Sequence, residues 1–161
     1  VGTEARSAWD IWDFSGLDLL EASGEAALII DRSGIVVYCN AASERLQRRP
    51  RAQIIGRALV RFSTARDPIG PGSQVWDELL AGEHWSGEVW INRGDGSQVP
   101  VYVTRSPLVG PDGEIVGVLS LATDRTTEHA AKTALWPQSG ASGRSCSARP
   151  TSPSSSSATA R

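Results

Sequence analysis

Ala27-Leu-Ile-Ile-Asp-Arg-Ser-Gly-Ile-Val-Val-Tyr-Cys-Asn40 is the stretch on which the fold of this chain turns. Two apolar, β-branched runs, Ala27–Asp31 and Ile35–Cys39, flank Arg32-Ser33-Gly34, where glycine can supply the positive φ of a tight turn. The pattern predicts a β-hairpin. Asn40 follows at once, and its side chain can accept from a free backbone N–H, so it predicts the N-cap of a helix over Ala41–Gln47.

Toward the C-terminus, Gln74–Leu80 has helical character, with Gly82 as its stop. Three more strands are predicted over Gly87–Ile91, Val99–Ser106 and Ile115–Thr123. Gly94-Asp-Gly-Ser97 and Pro111-Asp-Gly-Glu114 connect them as strong turn sequences. Two strands, a run of helices and three strands make an α+β antiparallel sheet with helices packed on one face. Asp124 is placed to cap a final helix, Arg125–Trp136, whose Ala130, Ala131, Ala134 and Leu135 form an apolar seam.

Toward the N-terminus, Trp9, Trp12, Phe14, Leu17 and Leu20 recur at three- and four-residue spacing, as in an amphipathic helical segment that Gly16 is expected to break. The last 25 residues hold nine serines, three prolines and no Leu, Ile, Val or Phe, so disorder is expected there. The organisation is therefore a helical cap over 1–24, a domain over 25–124, an exit helix over 125–136 and a Ser/Pro-rich tail over 137–161. A length of 161 residues suits one domain with its ends.

The composition, 40% hydrophobic and 21% charged, is that of a soluble globular chain. No apolar run approaches a membrane span, and no basic segment precedes an apolar stretch as in a signal peptide, so a cytoplasmic setting is expected. The absence of methionine is expected of a segment of a longer protein, and fifteen arginines against one lysine of a GC-rich, bacterial genome. Residues 1–136 carry a net charge of −5 and the tail +3, an acidic body that is a poor partner for nucleic acid. Cys39 and Cys146 make neither a disulfide framework nor a CxxC metal site. Cys39 ends an apolar strand, where burial would leave it inert.

Catalytic motifs are missing: there is no G-x-S-x-G elbow, phosphate-binding glycine loop or HExxH. Asp77/Glu78 and Glu83/Glu88 read as solvated surface acids. No metal site and no enzyme activity are expected.

Several segments in order then resemble the PAS sensory-domain family, over about Leu17 to Glu128. They are Leu19-Leu-Glu-Ala-Ser23, Val37-Tyr-Cys-Asn-Ala-Ala42, Ile54-Ile-Gly-Arg57, Trp85-Ser-Gly-Glu-Val89 with Gly94-Asp-Gly96, Ser106-Pro-Leu108, Asp112-Gly-Glu-Ile-Val-Gly117 and Asp124-Arg-Thr126. The resemblance implies a five-stranded antiparallel sheet, helices over one face and a small cavity between them. It also implies a sensing or interaction module that binds haem, flavin, a metabolite or nothing. Such a module passes its change to a kinase, phosphatase or cyclase output domain, with Asp124 and Thr126 as the signal exit.

The resemblance lets cofactors be judged residue by residue. The photoactive flavin branch needs a cysteine on a helix that here matches Arg51–Phe62, which has none. Its polar flavin-edge positions fall on Ile91, Val101 and Ala122, all apolar, so the flavin edge would be buried unpaired at about 1–3 kcal/mol per group. Haem would need a histidine on the helix before the third strand; Gln74–Leu80 has none, and only His84 lies near.

Strand alternation assigns two faces. Leu28, Ile30, Val37, Ile91, Val101, Val103, Val118, Ser120 and Ala122 are expected to face the cavity, with Arg105 at its mouth and Ser120 its polar handle. That wall suits a filled core or a small apolar ligand. Trp90, Tyr102, Leu119 and Leu121 face outward, too apolar to stay open to water, with Trp9, Trp12 and Phe14 expected to cover them within one subunit or across a homodimer. Two functions follow: a ligand-responsive sensor domain, or a ligand-free dimerisation module.

Overall fold

The computed structural model describes residues 14–64 and 69–135. Strands β1 (Ala26–Asp31) and β2 (Val36–Cys39) form the hairpin, its turn closed by Asp31 Oδ1, which accepts from the Ser33 and Ile35 N–H groups at 2.9 Å each. Gly34 takes φ 81°, the left-handed conformation this turn demands. Helices α2 (Ala41–Gln47), α3 (Arg51–Ile54) and α4 (Gln74–Leu80) follow, with a 3-10 turn at Leu59–Arg61. Then come β3 (Trp85–Asn92), β4 (Gln98–Val109), β5 (Ile115–Asp124) and the final helix α5 (Thr126–Leu135). All strand pairs are antiparallel, in the order β2-β1-β5-β4-β3.

Caps fix the helices. Ser73 accepts from Trp76 N–H at the start of α4, and Asn40 accepts from Ser43 N–H at the start of α2. The 94–97 turn tucks against the end of α2 so closely that a Cβ on Gly94 would lie 2.4 Å from the Arg48 carbonyl oxygen. Only glycine fits there. Arg48 itself adopts φ 48° as the C-cap of α2, and its guanidinium pairs with Asp95 across that junction.

The inner face of the sheet carries Leu28, Ile30, Val36, Cys39 and Val118, which pack with Ile54, Leu59, Phe62, Ile69, Trp76 and Leu79. Val89, Val99, Val101 and Val103 form a second cluster beside it. Cys39 is fully buried. Burial, with the Glu44 charge adding to it, pushes its thiol up to about 11, so it is not a thiolate at neutral pH.

Two expectations are corrected. Val37 does not face inward: the β1–β2 register slips between Ile29 and Ile30, so Leu28 opposes Cys39 and Ile30 opposes Val36. This bulge gives the inner positions to Val36 and Cys39 and leaves Val37 half-buried between them. Gly16 does not break the first helix, since α1 runs continuously from Phe14 to Ala22; a lone glycine costs a helix only about 1 kcal/mol. Among the described residues α5 buries none, and Leu135 of its apolar seam is 81% exposed. Trp9, Trp12, Trp136 and the 137–161 tail lie outside the described residues.

Candidate functional site

A cavity of about 40 Å³ lies between the sheet and the C-terminal half of α2. Of the residues expected to line it, Leu28, Ile91, Val103, Arg105, Ser120 and Ala122 do so. Ile30 and Val118 belong instead to the filled core under α4, and Val101 to the valine cluster. Val37 reaches neither.

The cavity is more polar than an aliphatic wall suggests, because α2 adds Ser43 and Gln47, and the segment after the 3-10 turn adds Ser63. Ser43 and Gln47 are four residues apart, so one helix face presents both. The Ser43 hydroxyl donates to the Ala27 carbonyl at 3.0 Å, while Gln47 Oε1 is buried without a hydrogen-bond partner. Their i, i+4 spacing was a legible signal of an inward polar stripe. Arg105 is not at an open mouth: it is 3% exposed, with its guanidinium stacked 4.7 Å over the Trp85 ring.

From the cavity wall the chain runs directly to the exit turn, since Ser120 and Ala122 precede Asp124 on β5. Asp124 Oδ1 accepts from the Thr126 N–H at 2.8 Å and from the Thr126 hydroxyl, starting α5 with an Asx turn. Oδ2 accepts from Arg93 at 3.1 Å, and the same guanidinium donates through Nε to the Leu46 carbonyl at 2.8 Å. Arg93 thus ties the cavity-lining end of α2 to the exit turn. Burial alone would raise the Asp124 pKa; the Thr126 hydrogen bonds and the Arg93 charge outweigh it and hold the carboxyl below its ordinary value. Two aromatic contacts dock α5 on the outer face: Trp90 meets His129 edge-on at 5.2 Å, and Arg125 lies 5.4 Å over Tyr102.

On that outer face Tyr102 is 38% exposed, and Trp90, Leu119 and Leu121 are half-buried. At its other end the Tyr38 hydroxyl donates to Glu21 Oε2 at 3.1 Å, fixing α1 to the sheet. Burial and this carboxylate push the Tyr38 hydroxyl up to about 12.

The residues present do not fit haem or a photoactive flavin. His84 is exposed, shares a hydrogen bond with Ser106 Oγ at 3.1 Å and does not line the cavity. Ile91 and Ala122 give a flavin edge no polar partner, and 40 Å³ admits only a few water-sized groups. Among the described residues no cluster of His, Cys, Asp and Glu could hold a metal ion, and no helix is long and apolar enough to cross a membrane.

The sheet order, the helices on its inner face and the exit turn define an α+β domain built on one five-stranded antiparallel sheet. The family model described as PAS fold matches residues 17–125, and the chain belongs to that family. It is 24% identical, over 106 residues, to the nitrogen fixation regulatory protein of Klebsiella oxytoca; the match takes in 66% of this chain but 21% of that protein's length. Its fold is similar to the PAS domain of a Colwellia psychrerythraea protein (TM-score 0.59, 21% identity, 70% of this chain and 96% of that one). It is also similar to a domain of a sensor histidine kinase/response regulator from Geobacter sulfurreducens (TM-score 0.58, 22% identity, 68% and 91%). At these identities the structural likeness is one of fold.

Proposed function

We propose that this domain is a sensory module, not a catalyst, that binds a small ligand in the α2-side cavity and signals to an output domain through α5. One observation carries the reading: Arg93 bridges Leu46, on the cavity wall, and Asp124, at the exit turn. A ligand that shifts α2 or β5 therefore pulls on the start of α5. The kinase named in one structural neighbour and the regulatory role named in the Klebsiella relative support an output of that class. A cytoplasmic setting goes with this reading.

Hydrogen exchange tests the bridge. Arg93→Ala should raise exchange in α5 about tenfold while β1 and β5 keep their protection. The pH dependence has a definite sign. The folded-state pKa of Asp124 is depressed, so its contribution is present above the unfolded value of about 4 and lost as pH falls through the folded one. After correction for intrinsic rates, α5 should loosen before the sheet does as the pH falls below the unfolded value of about 4, and less so in Arg93→Ala. Equal α5 exchange in parent and variant would sink the coupling.

A second reading rests on the outer face, where Trp90, Tyr102, Leu119 and Leu121 stay partly open. In this reading the face is a homodimer interface, with Trp9, Trp12 and Phe14 contributing from the N-terminal segment. Leu121→Glu should then convert a dimer to a monomer by light scattering. A parent chain that is already monomeric at about 100 µM removes this reading.

A further inference from the structure

The polar end of the cavity specifies its ligand more closely than its volume does. Gln47 is 4% exposed, lines the cavity, and its Oε1 has no hydrogen-bond partner. A buried carbonyl oxygen left unmade is costly, so the site selects a molecule that donates to it. Across the cavity the Ser120 hydroxyl, 5% exposed on β5, can donate in return. Acceptor on one wall and donor on the other match a group carrying an N–H beside a C=O. Leu28, Leu46, Phe62, Ile91 and Val103 line most of the remainder with apolar surface, beside Ser43, Ser63 and the Arg105 side chain stacked on Trp85. About 40 Å³ admits roughly three water-sized groups, a ligand of three or four heavy atoms.

We propose that this cavity is a site for a small neutral amide, held between Gln47 and Ser120. The proposal rests on the ligand-binding half of the sensor reading and not on the exit helix. It replaces the apolar ligand expected from the strand pattern with a polar one.

The test uses three planar isosteres of four heavy atoms on the full chain. Acetamide offers donor and acceptor, acetone an acceptor alone, and acetate a charge without a donor. For four heavy atoms the efficiency ceiling puts the tightest dissociation constant near roughly 40 µM, and a value of about 0.1–5 mM is expected. Acetamide should shift the Gln47 side-chain amide and the Ser120 and Ala122 backbone signals saturably in ¹H–¹⁵N spectra. Acetone and acetate should bind at least about tenfold more weakly, since each leaves Oε1 without a donor. Gln47→Met keeps the shape and removes the acceptor; it should abolish the acetamide response and leave Tm within about 2 °C of the parent or above it.

Equal binding of the three compounds, tightest binding of acetate, or an acetamide response that survives in Gln47→Met would each overturn the proposal. So would a cavity that holds water alone, with no saturable shift up to 50 mM acetamide, about tenfold above the weakest affinity expected. Saturable binding that leaves every α5 signal unmoved would uphold the amide site and sink the sensor reading, so the two fail separately.

Discussion

Asn40→Ala is expected to lower the unfolding free energy by about 3–5 kcal/mol, well beyond the roughly 0.5–2 kcal/mol of an ordinary lost N-cap. The excess comes from what else the side chain does. Oδ1 accepts from Ala27 N–H at 2.9 Å as well as from Ser43 N–H at 3.0 Å, and Nδ2 donates to the Leu20 and Glu25 carbonyls at 2.7 Å each. One amide therefore joins β1, α2 and the end of α1, at a position with no solvent exposure. Alanine would strand two N–H donors and the Glu25 carbonyl at once, while the Leu20 carbonyl keeps the Ser23 hydroxyl, and some of the roughly 1–3 kcal/mol cost of each stranded group would be recovered by water. Guanidinium titration followed by circular dichroism reads the loss. A cost below about 1 kcal/mol would show that solvent replaces all four bonds.

Asn40→Asp separates the two halves of that amide. The carboxylate still accepts from Ala27 and Ser43, but it turns an acceptor toward the Leu20 and Glu25 carbonyls. The variant should therefore be less stable than the parent at pH 7 and close part of the gap in acid. Protonation there restores one O–H donor. The sign follows from a folded-state pKa raised by burial and by the two carbonyls: the deficit is smallest below the unfolded pKa of about 3.9 and grows as pH rises.

The hairpin and its Asn40-capped helix are legible in sequence because each depends on neighbours within about four residues. Turn glycine, β-branched runs and the N-cap all state themselves locally. The inward phase of β4 and β5 is legible for the same reason, since alternation needs only one correct anchor. Val37 shows where that logic stops: a bulge inserts one residue, and every position read beyond it changes face. Arg105 is in phase with Val101 and Val103, so alternation alone would have buried it. The habit of sending long basic side chains to the surface places it at the rim, whereas the structure buries it with its guanidinium over the Trp85 ring. Gln47 was hidden by its surroundings, because Glu44-Arg45-Leu46-Gln47-Arg48-Arg49 reads as a solvated helix end. Only its i, i+4 partnership with Ser43 gives it away. The Arg93 bridge could not be read at all, since it joins Leu46 and Asp124, far apart in the chain.

Trp76→Ala should cost a further large amount, about 3–5 kcal/mol, because the indole is the largest of the fully buried side chains. It fills the inner core against Ile30, Ile54, Phe62, Leu79 and Val118, and its Nε1–H donates to the Arg32 carbonyl at 3.2 Å. Against a typical domain stability of 5–15 kcal/mol, about as much loss as this leaves the folded state marginal. Trp76→Phe supplies the graded measurement. It keeps most of the apolar volume and gives up the indole hydrogen bond, whose acceptor belongs to an exposed residue and can turn to water, so about 1–2 kcal/mol is expected. With six tryptophans in the chain, circular dichroism is the cleaner probe than fluorescence. The comparison also bears on function. Trp76 closes the core under α4 and does not line the cavity, which lies under α2. Trp76→Phe should therefore weaken the fold while leaving acetamide binding unchanged, and Gln47→Met should do the reverse. A Trp76→Phe variant that loses acetamide in step with its stability would mean that one continuous core, and not a separate site, accommodates the ligand.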